Sequence, residues 1–221
     1  MEGTYAKEIV TIIDTIKHMS SGYSPREIFS DWVKCTSIAI SNASTLFPDT
    51  DKEKEYTNIL TKYNKKDREN FPKMLGCLVE IFEKDEIDAL GTIFMSGEFK
   101  NKRGGQFFTP FHISYLTAQT ALKQMEEKGE CQIYEPACGS GGMIIAAAKA
   151  LKEAGYDYQH KMRVIAQDID WNSVYMTHVQ LSLLGIEAII VQGDSLREDI
   201  KIHEIEKRRK LFTPRRGGVL I

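Results

Sequence analysis

The residues best suited to chemistry in this chain form the run Glu135-Pro136-Ala137-Cys138-Gly139-Ser140-Gly141-Gly142. It lies between a short apolar segment, Gln132-Ile133-Tyr134, and a stretch from Gly142 to Leu151 whose apolar residues recur at helical spacing. Glycines at such a junction let the backbone turn sharply and approach a ligand closely. A helix opening directly behind them turns unpaired N–H groups and its positive dipole end toward whatever sits there. Taken alone, the run reads either as a ligand cradle or as a tight turn with no ligand.

Two acidic signals accompany it. Ala166-Gln167-Asp168-Ile169-Asp170 ends the next apolar run, Arg163 to Ala166, and Gly193-Asp194-Ser195 ends a third, Ala188 to Val191. A carboxylate at the tip of a second strand can accept hydrogen bonds from both hydroxyls of an adenosine ribose, and one at the tip of a third can accept from an adenine amino group. Each acid by itself could equally be a strand-end surface residue. Together, three polar signals at consecutive strand ends line one edge of a sheet, where open α/β sheets bind ligands.

The elements that must position these groups alternate. Strand 132–134, helix 142–151, strand 163–166, helix 174–184 and strand 188–191 follow one another in the pattern of a parallel sheet with crossover helices. Residues 1–100 read instead as a helical module. Ile9, Ile12, Ile13 and Ile16 share one face of a first helix from Tyr5 to His18. Ser24-Pro25-Arg26-Glu27 is a capping box with proline at the first helical position, and Ile28, Trp32, Cys35, Ile38 and Ala39 continue its buried face. Further helices are expected over 51–63, from Asp67 through Phe82, and from Leu90 to Met95. The division this implies is a helical module over 1–100 and an α/β domain over 101–221.

The 221 residues hold 29 Lys and Arg against 31 Asp and Glu, so net charge neither marks nor excludes a nucleic-acid partner. The dense basic stretch Lys207-Arg208-Arg209-Lys210 reads as a solvated helix end or as a phosphate or partner contact. Cys35, Cys77, Cys131 and Cys138 form no Cys-x-x-Cys pair, and the histidines stand at no metal-ligand spacing beside them, so no metal is expected. Reduced thiols, a start with neither a basic nor an apolar leader, and no membrane-spanning run point to a cytoplasmic protein with no membrane partner.

The segment Gln106-Phe107-Phe108-Thr109-Pro110-Phe111 precedes a helix expected over 113–125 and has no role in a dinucleotide site; alone, it could be an aromatic loop closing a core. Gly-Gln-Phe-Phe-Thr-Pro followed by Glu-Pro-Ala-Cys-Gly-Ser-Gly-Gly resembles the opening of the N6-adenine DNA methyltransferases, above all the modification subunits of type I restriction systems. The likeness extends back to Asp88-Ala89-Leu90-Gly91 and covers about residues 85–196. It implies a Rossmann-like, mostly parallel S-adenosylmethionine-dependent methyltransferase sheet. Gln106 to Phe111 and Glu135 to Gly142 would line the methionine end of S-adenosylmethionine, Asp168 would bind the ribose and Asp194 the adenine, with Ile169 and Ser195 beside them. The methyl acceptor would be the exocyclic amine of adenine in DNA, reached through a partner or specificity subunit.

The family's catalytic Asn/Asp-Pro-Pro-Tyr/Phe loop occurs nowhere in these residues, so no catalytic residue is assigned. After Asp194 the sequence predicts a helix over 200–210, a turn at Thr213-Pro214, and the start of a fourth strand at Val219-Leu220-Ile221, giving a truncated sheet of order 3-2-1-4. Two readings stand: a methyltransferase whose catalytic loop comes from a further segment or chain, or a catalytically incomplete S-adenosylmethionine-binding regulatory subunit. In either, the open C-terminal sheet edge is expected to pair with a second copy or a second methyltransferase chain.

Overall fold

The computed structural model describes residues 5–19, 22–46, 48–99, 109, 114, 118–197 and 210–214. Five helices come first: α1 (Ala6–His18), α2 (Pro25–Ala43), α3 (Thr50–Thr61), α4 (Lys65–Lys84) and α5 (Ala89–Ser96). Then follow α6 (Gln119–Lys128), β1 (Cys131–Glu135), α7 (Gly142–Glu153), the short α8 (Tyr158–Lys161), β2 (Met162–Asp168), α9 (Trp171–Leu183), β3 (Glu187–Gln192) and β4 (Lys210–Phe212).

The capping box forms as the sequence dictates. The Glu27 amide donates to Ser24 Oγ, and the Ser24 amide donates to Glu27 Oε2 at 3.0 Å. Ile28, Trp32, Cys35 and Ile38 are buried, whereas Ala39 is exposed, because the buried stripe of α2 continues through Thr36 and Ser37. α4 starts ahead of Asp67: Asn64 is the cap, accepting from the Asp67 amide, so Asp67 falls in the first turn. Trp32 spends its indole N–H on the Phe71 carbonyl at 3.2 Å, which lets the ring sink fully among Phe29, Met74 and Leu78.

Strands β1, β2 and β3 are parallel, with Ile133 opposite Val164 and Ile165 opposite Ile189. Alternation sends Cys131, Val164, Ala166, Ala188 and Ile190 to one face, where they share a core with Ile144, Ala148 and Leu151 of α7 and Val174 and Leu181 of α9. α9 also gives Met176 and Val179 to the core of the N-terminal helices, so one helix serves both cores. The opposite sheet face carries Tyr134, 52% exposed, and the half-buried Ile165, Ile189 and Phe212 along a groove of 640 Å³.

The described strands keep the expected 3-2-1 neighbours, and a strand the sequence did not predict joins them at 210–212. β4 runs antiparallel to β3, with Leu211 opposite Ile190, so the described sheet reads β1-β2-β3-β4 and β1 is an edge. Lys210 is therefore a strand residue rather than the end of a helix; the rest of that expected helix, residues 200–209, and the expected strand at 219–221 lie outside the described residues. Thr213 pins the junction. Its hydroxyl donates to the Ile186 carbonyl at 2.7 Å and accepts from the Ala188 amide at 2.8 Å. No helix among the described residues is long and apolar enough to cross a membrane.

His178, wholly buried on α9, joins three elements. Its Nε2 lies 3.0 Å from the Phe212 carbonyl, which can only accept, so Nε2 carries the proton and Nδ1 accepts from the Ser37 hydroxyl at 2.8 Å. Burial holds the imidazole down at about 4, against an ordinary value of 6.5. The unfolded chain therefore binds a proton that the folded one refuses, and stability falls as pH drops from about 6.5 to about 4. Replacing His178 with Gln should flatten that part of the profile, read as the difference between urea midpoints at pH 7 and pH 5 for the two proteins. Replacing fully buried Leu78 with Ala should cost about 2–5 kcal/mol in the same unfolding measurement, because the helical core around it cannot collapse into the space left.

Candidate functional site

The glycine-rich turn runs from the tip of β1 to the start of α7 and is fastened from three directions. From below, the Cys138 amide donates to the Gln167 carbonyl of β2 at 2.9 Å. From the tip of β2, Asp168 accepts the Gly139 amide on Oδ2 and the Asp170 amide on Oδ1, both at 2.9 Å. From α9, the Thr177 hydroxyl donates to the Gly139 carbonyl at 2.9 Å.

Two glycines are required by what surrounds them. Gly141 has φ +94°, and a Cβ there would sit 3.3 Å from Thr177 Oγ1. A Cβ on Gly142 would come within 2.9 Å of Asp88 Oδ2. α7 starts at this point with no side-chain cap, so its leading N–H groups and positive end remain available to a ligand.

Asp88 reaches the turn from the N-terminal helices, at the start of α5. As the cap of α5 it accepts the Gly91 amide at 2.9 Å. It also accepts the Ser140 hydroxyl at 2.6 Å and the Gln180 side-chain N–H at 2.9 Å. Gln180 is fully spent: its other N–H goes to the Ser140 carbonyl at 2.7 Å, and its oxygen accepts the Leu90 amide at 2.9 Å. Burial raises the Asp88 carboxyl above its ordinary value, and the Ser140, Gln180 and Gly91 donors pull it back. The signal for Asp88 was an acid three residues before a glycine at a helix start. The signal for Gln180 was an amide inside an otherwise apolar helical run.

Asp88, Thr109, Glu135, Ala137, Cys138 and Gly139 border a crevice of 70 Å³ beside the turn. Its acids outnumber its bases, since no Lys, Arg or His lines it among the described residues. Asp168 stands beside it, its carboxyl also raised by burial and restrained by the Asp170 and Gly139 amides. Burial pushes the Cys138 thiol up to about 12, so it stays protonated and packs rather than attacks.

Of the residues singled out by sequence, Thr109, Glu135 and Ala137 to Gly142 gather around this turn with Asp168. Pro136 is exposed on its rim, and Ile169 stands 63% exposed at the crest. The Gly193 amide donates to the Asp168 carbonyl at 3.0 Å, drawing the end of β3 to the end of β2. Asp194 is half-buried there, accepting the Leu196 amide at 3.1 Å with Arg197 Nε at 3.4 Å, and Ser195 is half-buried next to it. Gln106, Phe107, Phe108, Pro110 and Phe111 lie outside the described residues.

Comparison with known proteins places this geometry in a family. Over 184 residues the chain is 26% identical to the type I restriction enzyme MpnII methylase subunit of Mycoplasma pneumoniae, covering 77% of this chain and 33% of that protein. Over 102 residues it is 32% identical to the type I restriction enzyme MjaIX methylase subunit of Methanocaldococcus jannaschii, covering 46% of this chain and 17% of that protein. The chain thus spans a third or less of the length of these curated relatives. Among solved structures, the fold is similar to that of a Listeria monocytogenes protein assigned as a class I S-adenosylmethionine-dependent methyltransferase, with a TM-score of 0.53 at 13% identity, covering 89% of this chain and 55% of that one. Residues 85–210 match the family described as N-6 DNA Methylase, and the chain belongs to that family.

Proposed function

We propose that this chain is the S-adenosylmethionine-binding part of an N6-adenine DNA methyltransferase of the type I restriction-modification kind. The observation that carries the reading is the glycine-rich turn, tied through Gly139 to Asp168, within the part of the chain that matches the family. The donor set fits the ligand. The uncapped start of α7 suits the methionine carboxylate, and Asp88 and Glu135 beside it suit its ammonium and sulfonium charges. Asp168 has each oxygen engaged by one amide and keeps lone pairs for the ribose hydroxyls; Asp194 would take the adenine amino group.

When bound, S-adenosylmethionine supplies an electrophilic methyl group for an adenine amine. The residues described here would hold its three parts in register along the strand tips, leaving the methyl directed outward, which is the positioning part of such a reaction. The groups that hold the acceptor amine and stack on its base belong to an Asn/Asp-Pro-Pro-Tyr/Phe loop that this sequence does not carry. A further segment or second chain supplying that loop would extend the sheet beside β1, an edge strand of the described sheet. DNA and a specificity subunit would be the partners of such an assembly; the similar proteins are named as methylase subunits of type I restriction enzymes, each one part of a larger enzyme.

Isothermal titration of the chain with S-adenosylmethionine, S-adenosylhomocysteine and NAD tests the reading. The two adenosyl amino acids should bind saturably and NAD should not; saturable heat with NAD alone would refute it. Asp168→Ala should weaken binding of both adenosyl amino acids by about 30- to 100-fold, the cost of two lost hydrogen bonds to a charged acceptor. Methyl transfer to mixed-sequence DNA by the chain alone would show that the acceptor loop is not needed.

A further inference from the structure

The two halves of the glycine-rich turn are fastened differently. Cys138 and Gly139 answer to the tip of β2, through the Gln167 carbonyl and the Asp168 carboxyl, and to the Thr177 hydroxyl. The second half, where α7 begins, is held through Ser140, which is buried and turns both its hydroxyl and its carbonyl inward. The hydroxyl bonds to Asp88 at 2.6 Å, and the carbonyl accepts from Gln180 Nε2 at 2.7 Å across 40 positions of sequence. Gln180 is itself wholly buried on α9. Only one orientation of its amide serves all three partners. The Leu90 amide can only donate, which fixes Oε1; the Ser140 carbonyl can only accept, which fixes Nε2, and the other N–H goes to Asp88 Oδ1. That last bond survives protonation of Asp88, because a neutral carboxyl keeps a carbonyl oxygen to accept it. Gln180 thus joins the start of α5 to the start of α7 by hydrogen bonds rather than by charge.

We infer that Gln180 is a positioning residue for the amino-acid end of the cofactor, acting through the Ser140 carbonyl on the leading N–H groups of α7; this assignment rests on the reading that the turn holds S-adenosylmethionine. A carboxylate at a helix start is gripped by several amides at once, and the grip depends on where they point. The Ser140 carbonyl belongs to the planar peptide that leads into the helix, so holding that oxygen sets the plane from which the helix departs. Asp168 and Asp194, which the ribose and adenine would meet, are set instead by the ends of β2 and β3 and by backbone amides there. Loss of the Gln180 amide should therefore blur one end of the site and leave the other sharp.

Gln180→Met keeps an unbranched side chain of similar length and removes the amide. Titrated beside the wild-type chain, the variant should bind S-adenosylmethionine and S-adenosylhomocysteine each about tenfold more weakly, since a buried, preorganising hydrogen bond is gone. 5′-Methylthioadenosine, which has the adenosine but no amino-acid end, should stay within about twofold, its contacts being independent of the lost bond. A role in folding alone would leave the three affinities of the folded variant unchanged or lower them together, and either pattern would overturn the inference. The wild-type chain gives an independent check where the variant does not fold. Exchange of the Leu90 amide with solvent deuterium should slow about fivefold when S-adenosylhomocysteine is bound, because occupancy of the turn and the Gln180 bonds are reciprocally linked. Saturating 5′-methylthioadenosine should leave that exchange as it is; equal exchange with both ligands would sink the role given to Gln180 while the cofactor reading stands. A wild-type chain that binds neither S-adenosylmethionine nor S-adenosylhomocysteine would refute the cofactor reading itself.

Discussion

A closed hydrogen-bond network around one buried carboxylate organises this molecule. Asp88 from the N-terminal helices, Ser140 from the glycine-rich turn and Gln180 from α9 meet out of contact with water, and every polar atom of Gln180 is used. In such surroundings an unmatched donor or acceptor costs about 1–3 kcal/mol, so the three segments are constrained to one arrangement. Gly91 and Gly142 are drawn into it as well, because a side-chain carbon at either place would meet the Asp88 carboxylate. The shape of the turn is thus set from outside the sheet that carries it.

α9 transmits that constraint. It supplies side chains to both hydrophobic cores, holds the turn through Thr177 and Gln180, and reaches β4 and α2 through His178. A helix with so many buried polar groups has little amphipathic character, and its job here is connection rather than separation of core from solvent. The N-terminal helices are in this sense part of the site: they contribute Asp88, held in place by the same helix that backs the sheet.

The sheet is finished on one face only among the described residues. α7 and α9 share a core with one side, while Tyr134, Ile165, Ile189 and Phe212 line a groove on the other, and parallel sheets are ordinarily covered on both. The curated relatives are about three times as long as the aligned region or longer, which agrees with further layers in those proteins.

Much of this was legible in residue order, and the reason is locality. Capping at Ser24, the isoleucine stripe of α1, the three apolar strand runs and the glycine-rich turn each depend on neighbours within a few positions, where steric and hydrogen-bond preferences act directly. The acids at the strand tips were legible for the same cause, since strand ends locate them. Legible too, but misjudged, were Ala39, which helical periodicity put inside and packing left exposed, and Lys210, whose basic company favoured a helix. What sequence order could not decide was which distant groups would share a dry interior. Asp88 meets Ser140 across 52 positions and Gln180 across 92, and Ser37 meets His178 across 141. Nor could sequence order show that residues 210–212 would pair with β3, where Thr213 closes on Ile186 and Ala188. Residue types and their local spacing determined the helices, the strands and the turn; tertiary packing alone chose the partners of the buried polar groups, because desolvation makes each of them accept whichever complementary group the fold brings within reach.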